Sequence, residues 1–108
     1  MRRDAAFSFQ SDHDMRSLLE ILNATGTHHW IARDNENYGD YISALAHADY
    51  GFYKVYYDDE SDEYCFTIRF TCERSTFDDE YAELERIALD EILPSIKARD
   101  IRERSTWD

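Results

Sequence analysis

Apolar residues recur at Met15, Leu18, Leu19 and Leu22, the three-and-four spacing of one buried helix face. Ser11 or Asp12 is placed to cap that helix, and Gly26 to end it. Thr27 to Asp34 reads as extended around Trp30 and Ile31, and Asn35-Glu36-Asn37 as a loop. Tyr38 to Ala48 reads as a second extended run, although its Ala-Leu-Ala centre also suits a helix. From Gly51 the pattern is clearer. Phe52 to Tyr57 is almost wholly aromatic or β-branched, and Tyr64 to Cys72 alternates with period two. The alternation sends Tyr64, Phe66, Ile68 and Phe70 to the core and Cys65, Thr67, Arg69 and Thr71 to the other face. The short polar linker Asp58 to Glu63 makes the pair an antiparallel hairpin, its charges guarding against edge association.

Thr76 with Asp79 three residues later resembles a capping box, and it opens a helix expected from Phe77 to Ile92. Tyr81, Leu84, Ile87, Ala88 and Ile92 form its apolar stripe, leaving Glu80, Glu83, Asp90 and Glu91 toward solvent. Pro94 stops this helix or sits in a kink just after it, and Ala98 to Glu103 forms a short last strand or a helical tail. The expected fold class is α+β: a small antiparallel sheet of 4–5 strands with two helices packed on one face, in the order α-β-β-β-β-α. Helices on one face leave the other open, with Phe52, Lys54, Tyr56, Cys65, Thr67 and Arg69 on it. The 108 residues suffice for one core, so residues 1–10 are read as an N-terminal tail, 11–104 as a single domain and 105–108 as a C-terminal tail.

Charge alters this outline in one place. Between Asp58 and Glu91 stand thirteen acidic residues against three basic ones, a local charge of −10 in a chain of −12. So concentrated a field favours basic partners and repels nucleic acid and anionic membrane. Apolar residues at 43% and aromatics at 15% remove the composition of a disordered chain. Arg2 and Arg3 are not followed by the apolar run of a signal peptide, which predicts a cytoplasmic protein with its two cysteines, Cys65 and Cys72, free.

Catalytic and metal-binding patterns fail on spacing. Asp58, Glu60 and Asp62 match three positions of a calcium loop, but Glu63 stands where Gly is required and Arg69 where a bidentate Glu is required. The histidines His13, His28, His29 and His47 are scattered and have no cysteine pair at zinc spacing. No nucleophile elbow and no phosphate-cradling glycine loop occurs. The hairpin and helix acids sit where water keeps them ordinary, so no enzyme and no cofactor are expected. Lys97, Arg99, Arg102 and Arg104 make a weak basic cluster interrupted by Asp100 and Glu103, which suits a solvated edge or local balance of the acidic helix.

A compact acidic α+β domain with many tyrosines and no catalytic constellation is similar in class and composition to small bacterial and phage inhibitors. These include immunity proteins that cap a nuclease toxin and mimics that occupy a nucleic-acid cleft. The resemblance implies a non-catalytic protein, monomer or homodimer, that neutralises a basic toxin, effector or nucleic-acid-binding protein without touching nucleic acid or membrane itself. Asp58, Asp59, Glu60, Asp62, Glu63, Asp79, Glu80 and Glu83 would stand in for phosphates, with Trp30, Asp34, Tyr38, Asp40, Tyr41 and Tyr56 as anchors. Two alternatives are a DNA mimic of the anti-defence (anti-CRISPR-like) type, and a small ligand-binding domain or enzyme with a pocket near Trp30 to Tyr41.

Overall fold

Period-two alternation builds most of the molecule. The computed structural model describes residues 1–26, 28–35, 39–47 and 51–104. Within them six strands pair into one antiparallel sheet: β1 (Arg2–Gln10), β2 (Trp30–Asn35), β3 (Gly39–His47), β4 (Gly51–Asp58), β5 (Glu63–Thr71) and β6 (Arg99–Arg104). Their order across the sheet is β2-β3-β4-β5-β1-β6. Helix α1 (Met15–Thr25) follows β1, and α2 (Phe77–Ile87) follows β5. The α+β class is as expected, with more strands than the four or five read from the sequence.

The added strand is the segment expected to be a tail. Residues 2–10 form β1, which lies between β5 and β6 with Phe7 opposite Phe66 and Phe9 opposite Tyr64. Ala5, Phe7 and Phe9 alternate with Ala6 and Ser8, the same signal as in β5 but shorter and led by charged residues. Phe7 and Phe9 are buried, so the strand is integral to the core. Residues 39–47 are strand rather than helix, because pairing with β2 and β4 directs Ile42 and Ala44 inward. Strand pairing and burial here override the helical leaning of Ala-Leu-Ala.

Both helices pack on one face. Leu18 and Leu22 of α1 and Phe77, Tyr81 and Leu84 of α2 join Ile42, Tyr53, Val55, Phe66 and Phe70 in a single cluster. Tyr53 sits at its centre, stacked 6.1 Å from Trp30 and tilted against Phe66 at 5.3 Å, with its hydroxyl donating to the Leu84 carbonyl at 2.7 Å. The Asn23 side chain brackets the backbone of Trp30, accepting at 2.7 Å and donating at 3.0 Å, which ties the end of α1 to the start of β2.

The helix ends differ from expectation in detail. Asp14 caps α1, accepting from the Ser17 N–H at 2.8 Å, while Ser11 accepts from His13 N–H. Gly26 ends the helix as expected; a Cβ there would lie 2.9 Å from the Leu22 carbonyl oxygen. Thr76 forms no capping bond and donates to Glu80 at 2.9 Å instead. Pro94 does not stop α2. A π-helical turn, Ala88–Ile92, widens the helix and leads into a last turn, α3 (Leu93–Ser95). A wider turn is how a helix absorbs a residue without an N–H, whose ring crowds the preceding turn. Among the described residues no helix is long and apolar enough to cross a membrane.

Candidate functional site

Side chains of β-strands alternate between faces, so the helix-free face carries the other half of every strand. Its cross-strand rows follow from the register. One row runs Arg33, Tyr41, Tyr56, Cys65, Ser8 and Arg102; the next runs Ile31, Ser43, Lys54, Thr67, Ala6 and Arg104. A third places Leu45, Phe52, Arg69 and Asp4 side by side. Ser43, Cys65, Thr67 and Ala6 are small and make a floor. Long side chains stand around them, enclosing a cavity of ≈ 460 Å³. That volume lies in the range of small-ligand pockets.

The lining is cationic. Among the described residues Arg2, Arg33, Lys54, Arg69 and Arg104 face the cavity against a single carboxylate, Asp4. Asp4 receives Arg2 at 2.8 Å and Arg69 at 3.1 Å. Partial burial alone would raise its pKa, but the two arginine hydrogen bonds outweigh that and hold it below the ordinary carboxylate value. Arg104 reaches Asp58 at 3.2 Å with one nitrogen, while its Nη1 is buried without a hydrogen-bond partner among the described residues. Lys54 lies 5.0 Å from the Tyr41 ring centre, a cation–π distance. Burial, then repulsion from Arg69, lowers the pKa of its ammonium.

Tyr56 and Cys65 are direct cross-strand partners on the cavity floor. Burial pushes the Cys65 thiol above its ordinary value, opposed by the hydrogen bond from Tyr56. Burial first, and then Cys65, raise the Tyr56 phenol. Cys65 is 1% exposed although it lies on the face without helices, because the tall neighbours close over it. A raised pKa and little access make the thiol inert rather than nucleophilic.

The expected partner-binding residues separate into three groups. Tyr41 and Tyr56 face each other in register on the concave face. Asp34 and Asp40 are direct partners at the β2–β3 end, which lies at the same end of the sheet as the hairpin turn with Asp58, Asp59, Glu60 and Asp62. Asp79, Glu80 and Glu83 belong to α2, which begins beyond the far end of β5, so its first turn lies about 30 Å from the hairpin turn at ~3.3 Å per strand residue. The acids therefore do not form one surface.

Several of them already have partners. Glu63 is buried against Arg102, and Asp62 accepts from the Tyr57 hydroxyl. Glu80 is bound by Arg74 at 2.7 Å, and Glu83 by Arg86, which also holds Glu91 at 3.1 Å. Asp59, Glu60 and Asp79 are exposed. Trp30, expected as an anchor, is 2% exposed and belongs to the core. Tyr38 lies outside the described residues. Three of the four C-terminal cations pair away from the acidic helix: Arg99 with Asp12 at 3.1 Å, and Arg102 and Arg104 with the hairpin.

Sequence reading placed Phe52, Lys54, Tyr56, Cys65, Thr67 and Arg69 on the open face, as found. It missed Arg2, Asp4, Arg33, Ser43 and Arg104. For the β1 residues the alternation of Phe7 and Phe9 was the available signal; Arg33 and Arg104 join only through pairing. In comparisons with known proteins, no family model matches the chain and no curated protein is similar to it.

Proposed function

We propose that the chain is a non-catalytic binding domain whose working surface is the concave sheet face, and that its ligand is anionic. One observation carries this reading: in a chain of net charge −12, the described residues that line the ≈ 460 Å³ cavity include five cations and one carboxylate. Cations held close together repel one another and favour an anion among them, and of these five the ion pairs of Asp4 hold Arg2 and Arg69 and that of Asp58 holds Arg104. Among the described residues the buried Arg104 Nη1 has no hydrogen-bond acceptor, so this guanidinium is incompletely satisfied. Tyr41, Tyr56 and Phe52 add ring surface beside the charge, suiting a ligand that joins an anionic group to a planar or apolar body.

Anilinonaphthalene sulfonate, which has both parts, is the probe. It should bind the cooperatively folded chain, be displaced by added phosphate, and lose about tenfold in affinity, ~1.4 kcal/mol, in Lys54→Glu. Equal binding by Lys54→Glu, with urea unfolding intact, sinks the reading.

A second reading keeps a basic protein partner of the toxin or effector kind. It is supported by the meander, whose two turns put Asp34, Asp40, Asp59 and Glu60 at one end. Pull-downs at low and high salt test it, and recovery of no basic protein under either condition removes it.

A further inference from the structure

The cavity continues into an apolar strip that a small anion would leave bare. Ile31, Leu45 and Phe52 are 43%, 56% and 46% exposed, and all three lie on the concave face. Leu45 pairs directly with Phe52, and Ile31 pairs with Ser43, two residues along β3 from Leu45. Neighbours at those offsets on one face lie within side-chain reach. Ile31 and Leu45 stand outside the cavity lining. The whole feature is thus a trough, cationic at its centre and apolar at its β2–β3 side.

Its dimensions follow from the register. The floor row from Ile31 to Arg104 crosses all six strands, or ~24 Å at ~4.8 Å per strand spacing. The walls, Tyr41 with Tyr56 on one side and Leu45 with Phe52 on the other, are four residues apart along the strands, ~13 Å. A helix is ~10–12 Å across, and about sixteen residues of it span ~24 Å. An extended segment laid on this face would find the sheet's backbone groups already paired to neighbouring strands, and its own would go unmatched. A helix carries its hydrogen bonds internally.

Building on the anion-binding reading above, the geometry points to an acidic amphipathic helix of a partner protein as the occupant of this trough, lying across the strands. Its apolar positions meet Ile31, Leu45 and Phe52, and its carboxylates meet Lys54, Arg69 and Arg104. Charge complementarity selects this partner over a membrane or a nucleic acid, because the rest of the molecule is strongly negative and repels extended polyanions.

Panning a display library of sixteen-residue peptides against the intact chain, at about 150 mM salt, is the test. The expected consensus has apolar residues at i, i+3 or i+4, and i+7, flanked by Asp or Glu, and selected peptides gain helicity on binding. Leu45→Asp should weaken a selected peptide at least tenfold while leaving anilinonaphthalene sulfonate affinity within about twofold, since Leu45 is outside the cavity. A basic consensus, no consensus, peptides bound without helix formation, or indifference to Leu45→Asp each overturns the helix. If the probe still binds and still responds to Lys54→Glu, the anionic pocket stands without it; if that response is also missing, both fall.

Discussion

The two faces of the sheet both bury side chains, but one does so by packing and the other by overlay. Under the helices, Tyr53, Phe66 and Phe70 are 0% exposed among other rings and aliphatic groups. On the concave face Cys65 is almost as inaccessible, yet what covers it is a set of long, charged or phenolic side chains around a cavity. Close packing couples each residue to stability, because removing atoms leaves a void. Overlay leaves the side chains free to exchange one partner for another, which is what a binding surface needs. Substitutions on the packed face should therefore lower stability alone, and those on the concave face should change binding.

The largest effect expected is that of Tyr53→Ala, which removes a ring stacked on Trp30 and packed at a tilt on Phe66, and the hydroxyl held by Leu84. Urea unfolding should show a loss of about 4 kcal/mol. A loss below ~1.5 kcal/mol would break the contrast between the faces.

Asp4→Asn probes the concave side. It leaves Arg2 and Arg69 without their carboxylate and should cost about 1 kcal/mol in stability while tightening anilinonaphthalene sulfonate binding severalfold. Unchanged or weaker probe binding would show that these arginines do not serve the ligand. The sign of the acid response follows from the same contact. A lowered pKa stabilises the folded chain at pH above the ordinary aspartate value, and this contribution is lost as pH falls through that value toward the folded one. Asp4→Asn should remove that part of the acid sensitivity.

His28 gives a smaller effect on the packed side, where its ring meets the edge of Tyr53 at 5.3 Å. Burial lowers its pKa despite the nearby Glu91. Above the ordinary histidine value both states are neutral. As pH falls below it, the unfolded chain takes up the proton first and stability declines until the folded imidazole also titrates. His28→Gln should flatten that decline in stability measured from pH 7 to pH 5, and an unaltered slope would place the imidazole in solvent.

Asp79→Asn, on the exposed first turn of α2, should change stability by less than ~0.5 kcal/mol and leave probe affinity unchanged. A large change in probe binding there would mean that the acidic helix and the concave face act together, and the two-face contrast would need revision.

The legible parts of the fold share a physical property. β4 and β5 alternate over eight and nine residues, so their faces could be assigned before any pairing was known. β1 alternates too, but Arg2, Arg3 and Asp4 lead it, and charge at a chain end looks like a tail until Asp4 is seen between two arginines. Trp30 looked like an anchor because it lies beside polar residues, yet β2 pairing turns it into the core. Whether an acid is available to a partner was equally illegible. Glu63 is occupied because Arg102, thirty-nine residues later, crosses to it from β6.

Local and additive properties were decided by the sequence alone. The pleat repeats every two residues, so the chain itself determines which side chains share a strand face, and charges add, so the chain determines that the molecule is acidic. Which strand lies beside which is a non-local choice, made by the burial of Phe7 and Phe9 between β5 and β6 and by helices covering one face only. That choice brings Arg2, Arg33, Lys54, Arg69 and Arg104, drawn from five different strands, around one cavity. The tertiary structure, through pairing, placed a cationic trough inside an acidic chain.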